Sequence, residues 1–135
     1  MWSWATAVAC LIAGRGQPPI LPTVMTVLSM LTMATCVYTY NDVTDVELDK
    51  LNPVKRNRAV PSGKISAKEA MLIVYSSGLV GIGLSLFTNL RVFLSLMLWM
   101  ALFLLYSNPR VRLKRRLLLK EGTIGTGFFL SSIIG

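Results

Sequence analysis

The sequence has no histidine, few acidic residues and few cysteines. Only six Asp and Glu stand against fourteen Lys and Arg in 135 residues. Without histidine, catalytic schemes with an imidazole base or nucleophile are excluded, and proton transfer is left to Asp, Glu, Lys and Tyr. The two cysteines, Cys10 and Cys36, lie inside apolar runs. This position favours small buried side chains over a disulfide or a ligand pair.

Apolar residues dominate what is present. They make up 53% of the chain, charged residues make up 15%, and the mean hydropathy is +0.59. This composition is too apolar for an ordinary soluble domain. Five apolar segments are separated by polar breaks, which predicts an all-α, multi-spanning transmembrane helical bundle. The predicted segments are Met1–Gly14, a helix from the Pro18–Pro22 turn to about Tyr40, Ser66–Phe87, Val92–Tyr106 and Gly122–Gly135.

The lengths of these segments predict an incomplete bundle. Met1–Gly14 reaches about 21 Å as a helix, which is short of a bilayer core of about 30 Å. Gly122–Gly135 is equally short. We therefore expect residues 1–135 to form a single transmembrane domain that is truncated at both ends and belongs to a longer membrane protein.

The net charge of +8 is concentrated in two of the polar breaks. The first cluster comprises Lys50, Lys55, Arg56, Arg58, Lys64 and Lys68, and the second comprises Arg110, Arg112, Lys114, Arg115, Arg116 and Lys120. Basic loops between apolar segments are typical of the cytoplasmic face of a multi-pass membrane protein. This pattern predicts contact with membrane lipids and no nucleic acid as a partner.

Four of the six acidic residues lie within residues 41–49. At about 100° per residue, a helix places Asp42, Asp45 and Asp49 within an arc of roughly 60°, with Glu47 on the other side. Such a cluster at the mouth of a membrane helix is costly unless a cation occupies it. Clustered carboxylates with an adjacent amide can hold Mg²⁺, which also accepts diphosphate oxygens. The spacing therefore indicates diphosphate chemistry at a membrane surface.

The polar loop that follows carries clear structural signals. Pro53 predicts the end of the acidic helix, Pro61-Ser62-Gly63 predicts a turn, and Ser66 with Glu69 predicts a capping box. Arg56 and Arg58 can reach back over the acidic cluster, where a guanidinium suits diphosphate recognition. Composition alone favours a second interpretation, in which these arginines are anchors for lipid phosphates.

Two motifs resemble those of the UbiA-type intramembrane prenyltransferases. The first is similar to their first acidic signature and comprises Asn41-Asp42-x-x-Asp45-x-x-x-Asp49, Asn52, Arg58, Pro61-Ser62-Gly63 and Ile65. The second is similar to their Y-S-x-P-x-x-x-L-K element and runs from Tyr106 to Lys114. The motifs occur in the family's order and are joined by a two-helix hairpin. The resemblance extends over roughly residues 20–135.

The resemblance implies the N-terminal part of a nine-helix bundle. It implies Mg²⁺-dependent transfer of a prenyl group from a polyprenyl diphosphate to a lipophilic or aromatic acceptor in the membrane. The residues implied for metal binding are Asn41, Asp42, Asp45 and Asp49. The resemblance further implies that Arg58 and Lys114 bind the diphosphate and that Tyr106 and Lys114 line the cavity. The implied catalytic residues are Asp42, Asp45, Arg58, Tyr106 and Lys114.

One departure from the family pattern matters for activity. The family carries a second acidic cluster, D-x-x-x-D, whereas the only acidic residue here after Glu69 is Glu121. We therefore expect no turnover by the isolated polypeptide.

Alternative functions and acceptors stay open at this point. A non-catalytic membrane subunit, or an inactive fragment with half of the metal–diphosphate site, is the main alternative to an enzyme. The CDP-alcohol phosphotransferases are disfavoured because their D-G-x-x-A-R element is absent. The motifs resemble those of chlorophyll and tocopherol prenyltransferases and of digeranylgeranylglyceryl phosphate synthases. Acceptors of the quinone-precursor and haem-farnesyl type remain open as well.

Overall fold

The computed structural model describes residues 2–108 and 117–134, and every regular element within them is an α-helix. The helices are α1 (Trp2–Ala13), α2 (Ile20–Thr44), α3 (Val46–Leu51), α4 (Ala67–Leu86), α5 (Leu90–Ser107) and α6 (Leu117–Ile134). The predicted all-α class is confirmed.

Three of the described helices are long and apolar enough to cross a membrane. They are α2, α4 and α5, with 25, 20 and 18 residues and mean hydropathies of 1.8, 1.5 and 1.9. At 1.5 Å per residue they extend about 27–38 Å, which matches a hydrocarbon core of about 30 Å. Their outer faces present large apolar side chains such as Leu72 and Leu98. The protein is therefore an integral membrane protein.

Helices α2 and α4 pack closely because α4 has small residues along the contact. A Cβ atom at Gly81 would lie 2.8 Å from Met33 Cγ, and one at Gly78 would lie 3.3 Å from Cys36 Sγ. Side chains of this size let two membrane helices approach at backbone distance. The pair holds the C-terminal end of α2 beside the N-terminal end of α4.

An aromatic cluster fixes α5 against α1 and α6. Trp2 of α1 packs edge-on against Trp99 of α5, with ring centroids 5.7 Å apart, and lies 4.4 Å from the Phe128 ring of α6. Phe103 lies one turn above Trp99 at 4.6 Å and continues the column toward the C-terminal end of α5. Aromatic pairs at these separations contribute roughly 0.5–1.5 kcal/mol beyond their buried area. This aromatic packing therefore positions the C-terminal end of α5, which carries Tyr106 and Ser107.

The acidic segment is helical with one interruption. Helix α2 continues to Thr44, beyond the predicted end near Tyr40. Only Asp45 leaves helical geometry, with φ −104° and ψ 5°, and α3 resumes at Val46. Helix α3 ends at Leu51, before Pro53, as predicted.

The loop between α3 and α4 has the predicted turn and cap. Gly63 adopts a φ of +78°, which favours glycine, and its N–H donates to the Val60 carbonyl at 3.0 Å. Ser66 caps α4: its Oγ accepts from the Glu69 N–H at 3.2 Å, and its own N–H donates to Glu69 Oε2 at 2.8 Å. These local bonds return the loop over the end of α2.

Candidate functional site

Arg58 lies over the acidic motif and bridges two of its carboxylates. Its Nη1 donates to Asp42 Oδ1 at 2.7 Å and lies 3.5 Å from Asp49 Oδ2. Both carboxylates therefore face the same side of the α2–α3 segment, as their spacing predicts. Arg58 is 16 residues from Asp42 in sequence, and the turns in the loop bring it back.

Asp49 is more deeply buried than Asp42. Its side chain is 4% exposed, and Lys55 Nζ lies 3.4 Å from its Oδ1. A buried carboxylate requires a compensating charge, which Lys55 and Arg58 supply together. Lys55 was not predicted as a site residue, although its position in the basic loop was a signal.

Glu47 faces away from this cluster. It pairs with Lys50 at 2.8 Å on an exposed surface, which agrees with its place on the opposite side of the predicted arc. An exposed pair of this kind contributes at most about 1 kcal/mol to stability. Glu47 and Lys50 therefore provide matched controls for the carboxylates and cations of the site.

Asp45 and Tyr106 are the remaining carboxylate and the tyrosine predicted for the site. Asp45 is buried at the α2–α3 junction. Tyr106 is half-buried near the end of α5. Phe103 supports the Tyr106 ring from below, with centroids 6.1 Å apart.

Asn41 connects the acidic motif to α5. Its Oδ1 accepts a hydrogen bond from Ser107 Oγ at 2.9 Å, between residues 66 positions apart. Ser107 is buried and was not predicted as a site residue. The signal that pointed to it was its place beside Tyr106 in the second motif. The structure therefore brings the two motifs together through this contact.

Two further basic residues of the sequence-based prediction are Lys114 and Arg56. Lys114 lies outside the described residues. Arg56 is exposed and, within residues 2–108 and 117–134, makes no ion pair with the motif. Arg58 alone fulfils the expectation that an arginine reaches back over the carboxylates.

The donor chemistry of the motif fits a hard divalent cation. Asn41, Asp42, Asp45 and Asp49 offer carboxylate and amide oxygens, the ligands that Mg²⁺ prefers. Among the described residues, however, no three Asp, Glu, Cys or His side chains converge closely enough to hold a metal ion. Arg58 stands between Asp42 and Asp49. The assignment of these four residues as metal ligands therefore stays a prediction.

An apolar groove begins beside this cluster and descends into the bundle. Its volume is about 660 Å³, it is open on one side, and residues of α2, α4 and α5 line it. Tyr40 and Asn108 line its upper end, next to Asn41 and Ser107 in sequence, whereas Leu79, Ile82 and Met100 line its lower part. A groove of this size falls within the range of ligand pockets.

Fold and site together define an integral membrane protein with an acidic and basic cluster above an apolar groove. The model of the UbiA prenyltransferase family matches residues 2–135. The chain belongs to that family, and the resemblance seen in its motifs is confirmed.

Curated relatives share part of the chain. A 4-hydroxybenzoate octaprenyltransferase of Shewanella sp. (strain MR-4) is 34% identical over 86 residues, covering 64% of this chain and 30% of the relative. A second 4-hydroxybenzoate octaprenyltransferase, of Marinomonas sp. (strain MWYL1), is 30% identical over 103 residues, covering 76% of this chain and 36% of the relative. The matched part of the chain thus spans about a third of the length of these relatives.

A solved structure supports the fold. A chain from a study of digeranylgeranylglyceryl phosphate synthase in membranes superimposes with a TM-score of 0.82 at 23% identity. The superposition covers 99% of this chain and 48% of that one. At this identity the likeness concerns the fold alone, which is that of a membrane prenyltransferase bundle.

Proposed function

We propose that this chain supplies the first acidic motif of a diphosphate-binding site in a prenyltransferase that acts within the membrane. The donor is a prenyl diphosphate, and the acceptor is an aromatic ring of the hydroxybenzoate type. The observation that carries the proposal is the bridge from Arg58 to Asp42 and Asp49 at the end of a membrane helix. Family membership and the names of the curated relatives support the same reaction class.

Arg58 is suited to receive the diphosphate. Nη1 makes both contacts with the carboxylates, whereas a guanidinium has five N–H donors in a planar fork. The fork can therefore turn toward phosphate oxygens, which it recognises through paired hydrogen bonds. Lys55, held beside Asp49, adds a second cation to the same rim.

The proposed reaction breaks the allylic C–O bond of the donor. The bonding electron pair leaves with the diphosphate, the allylic carbon bonds to a ring carbon of the acceptor, and that carbon releases its proton. The charge that grows on the diphosphate requires preorganised cations, which Arg58 and Lys55 provide. Mg²⁺ held by Asn41, Asp42, Asp45 and Asp49 would add Lewis-acid stabilisation of the same charge.

The apolar groove lined by α2, α4 and α5 is suited to the hydrocarbon tail of the donor. Its lower part is lined by Leu79, Ile82 and Met100, and its upper end is lined by Tyr40, which precedes Asn41 in the chain. An apolar wall excludes water, which protects an allylic cation from hydrolysis. The diphosphate and the tail thus have adjacent sites of matching polarity.

We further propose that the acidic motif faces the cytoplasm. The loop after α3 carries Lys55, Arg56, Arg58 and Lys64, whereas the short α4–α5 connection is followed by Arg91 as its nearest basic residue. This asymmetry is the one that the positive-inside rule associates with cytoplasmic loops. A cysteine introduced in place of exposed Ser62 should react with an impermeant maleimide only in inside-out vesicles.

The product of the complete gene, reconstituted in lipid, provides the test of function. With a radiolabelled prenyl diphosphate and a panel of acceptors, we expect label in 4-hydroxybenzoate rather than in a glycerol phosphate ether. Asp42→Asn and Asp45→Asn should abolish transfer, whereas the control Glu47→Gln should retain it. The polypeptide of 135 residues, which lacks the family's second acidic cluster, should not turn over alone. Absence of transfer to every acceptor by folded wild-type protein would contradict the proposal.

A further inference from the structure

Ser107 differs from the other buried serines in where its hydroxyl points. Ser29, Ser85 and Ser131 each donate to a carbonyl oxygen of their own helix, three or four residues back. Ser107, at the last residue of α5, instead donates to Asn41 Oδ1 on α2. Its side chain is enclosed, with the residue 2% exposed. The bond is therefore a tertiary contact at the candidate site and not a helix-internal one.

This contact defines the orientation of the Asn41 amide. A hydroxyl that donates at 2.9 Å fixes the amide oxygen on the side of α5. A carbonyl oxygen has two lone pairs, so acceptance from Ser107 is compatible with coordination of a cation by the same atom. Asn41 immediately precedes Asp42, whose carboxylate is held by Arg58. The amide and the carboxylate are thus each oriented by a partner from another segment.

We propose that Ser107 is a positioning residue of the metal–diphosphate site. It acts through Asn41 and orients the amide oxygen toward the divalent cation that the motif would bind. The inference rests on the proposed function. It also gives a physical reason for the two motifs to occur together, because Ser107 of the second motif orients Asn41 of the first. Outer-shell partners of this kind typically change metal affinity by roughly 10- to 100-fold when removed.

The test uses metal binding and not only activity. Mn²⁺ replaces Mg²⁺ as a spectroscopic probe, and its binding to the reconstituted product of the complete gene is followed by electron paramagnetic resonance in the presence of inorganic diphosphate. We expect Ser107→Ala to weaken Mn²⁺ binding roughly 10- to 100-fold. Ser107→Thr, which keeps the hydroxyl, should restore most of it. The control Ser85→Ala removes an equally buried hydroxyl that bonds only within α4 and should leave Mn²⁺ binding unchanged.

A double-mutant cycle separates positioning from general packing. If Ser107 acts through Asn41, Ser107→Ala should add little to the loss already caused by Asn41→Ala, because the two changes remove one interaction. Independent, additive losses would overturn the inference. So would wild-type Mn²⁺ affinity in Ser107→Ala alongside a loss in Asn41→Ala.

Failure of the proposed function gives a different result. If wild-type protein itself binds no Mn²⁺ with diphosphate, the metal–diphosphate site is wrong and the role of Ser107 falls with it. If wild-type binds and Ser107→Ala binds equally well, only the positioning role is overturned. Ser107→Ala should also lower kcat/KM for the prenyl diphosphate, and added Mn²⁺ should partly recover it, which a merely structural role would not predict.

Discussion

Replacement of Arg58 by alanine should separate the catalytic role of this residue from its structural one. In the folded protein, Arg58 contacts Asp42 at 2.7 Å and Asp49 at 3.5 Å. The Arg58 side chain is 43% exposed and the Asp42 side chain is 30% exposed. Ion pairs this open contribute at most about 1 kcal/mol. Asp49 keeps Lys55 at 3.4 Å after the change. Loss of the Arg58–Asp42 pair should therefore lower the free energy of unfolding by no more than about 1 kcal/mol, and loss of the Arg58 contact with buried Asp49 should lower it by about 1 kcal/mol more.

The effect on catalysis should be larger than the effect on stability. Removal of one preorganised donor from a site where negative charge develops costs roughly 10²–10³ in rate, or about 2.7–4 kcal/mol. Arg58→Ala should therefore lose about that factor in kcat/KM for a prenyl diphosphate. Arg58→Lys should recover only part of it, because an ammonium lacks the planar fork.

The assay compares prenyl transfer and thermal unfolding of the same reconstituted samples. The matched control is Lys50→Ala, which removes a cation from the neighbouring helix that pairs with exposed Glu47. Lys50→Ala should keep both activity and stability. The reasoning is refuted if Arg58→Ala retains activity within twofold of wild type, or if Lys50→Ala is equally defective.

Three further predictions concern the helices that hold the site. Gly81→Ala places a Cβ 2.8 Å from Met33 Cγ and should lower the free energy of unfolding by about 1–3 kcal/mol. The control Gly83→Ala, whose added Cβ meets no atom within 4 Å, should not. Equal unfolding midpoints for the two variants would show that α2 and α4 do not pack as described. Ser66→Ala removes the α4 capping box and should cost about 1 kcal/mol in thermal unfolding, whereas the control Ser76→Ala should cost less. Ala101→Trp fills the groove and should raise KM more for long prenyl diphosphates than for short ones. The control Leu94→Trp, on the outer face of α5, should not. Unchanged chain-length selectivity in Ala101→Trp would exclude the groove as the site of the prenyl tail.

Local features of this chain were predictable because their interactions span only a few residues. The capping box of Ser66 and Glu69, the turn at Gly63 and the end of α3 before Pro53 each follow from bonds between near neighbours. The side on which Asp42 and Asp49 lie follows from helical periodicity. These local features were therefore enough to predict the helix boundaries around the loop and the shared face of the two carboxylates.

Features that depend on tertiary packing were not predictable in the same way. The apolar run ends at Tyr40, but α2 continues to Thr44 because helical hydrogen bonds persist where Asn41 and Asp42 gain partners from α5 and the loop. Position in the loop did not distinguish Arg56 from Arg58, since that choice depends on how the loop turns, whereas the resemblance to the family motif singled out Arg58. The contact between Asn41 and Ser107 joins residues 66 apart, which no local pattern reveals.

The most direct test of the central claim is equilibrium binding of an inert prenyl thiodiphosphate to the reconstituted product of the complete gene. Titration calorimetry with Mg²⁺ should show binding to wild-type protein and to Glu47→Gln. Binding should be lost or strongly weakened in Asp42→Asn and in Arg58→Ala, because these changes remove the two groups that face each other at 2.7 Å. Equal affinity in all four proteins would contradict a diphosphate site at the end of α2.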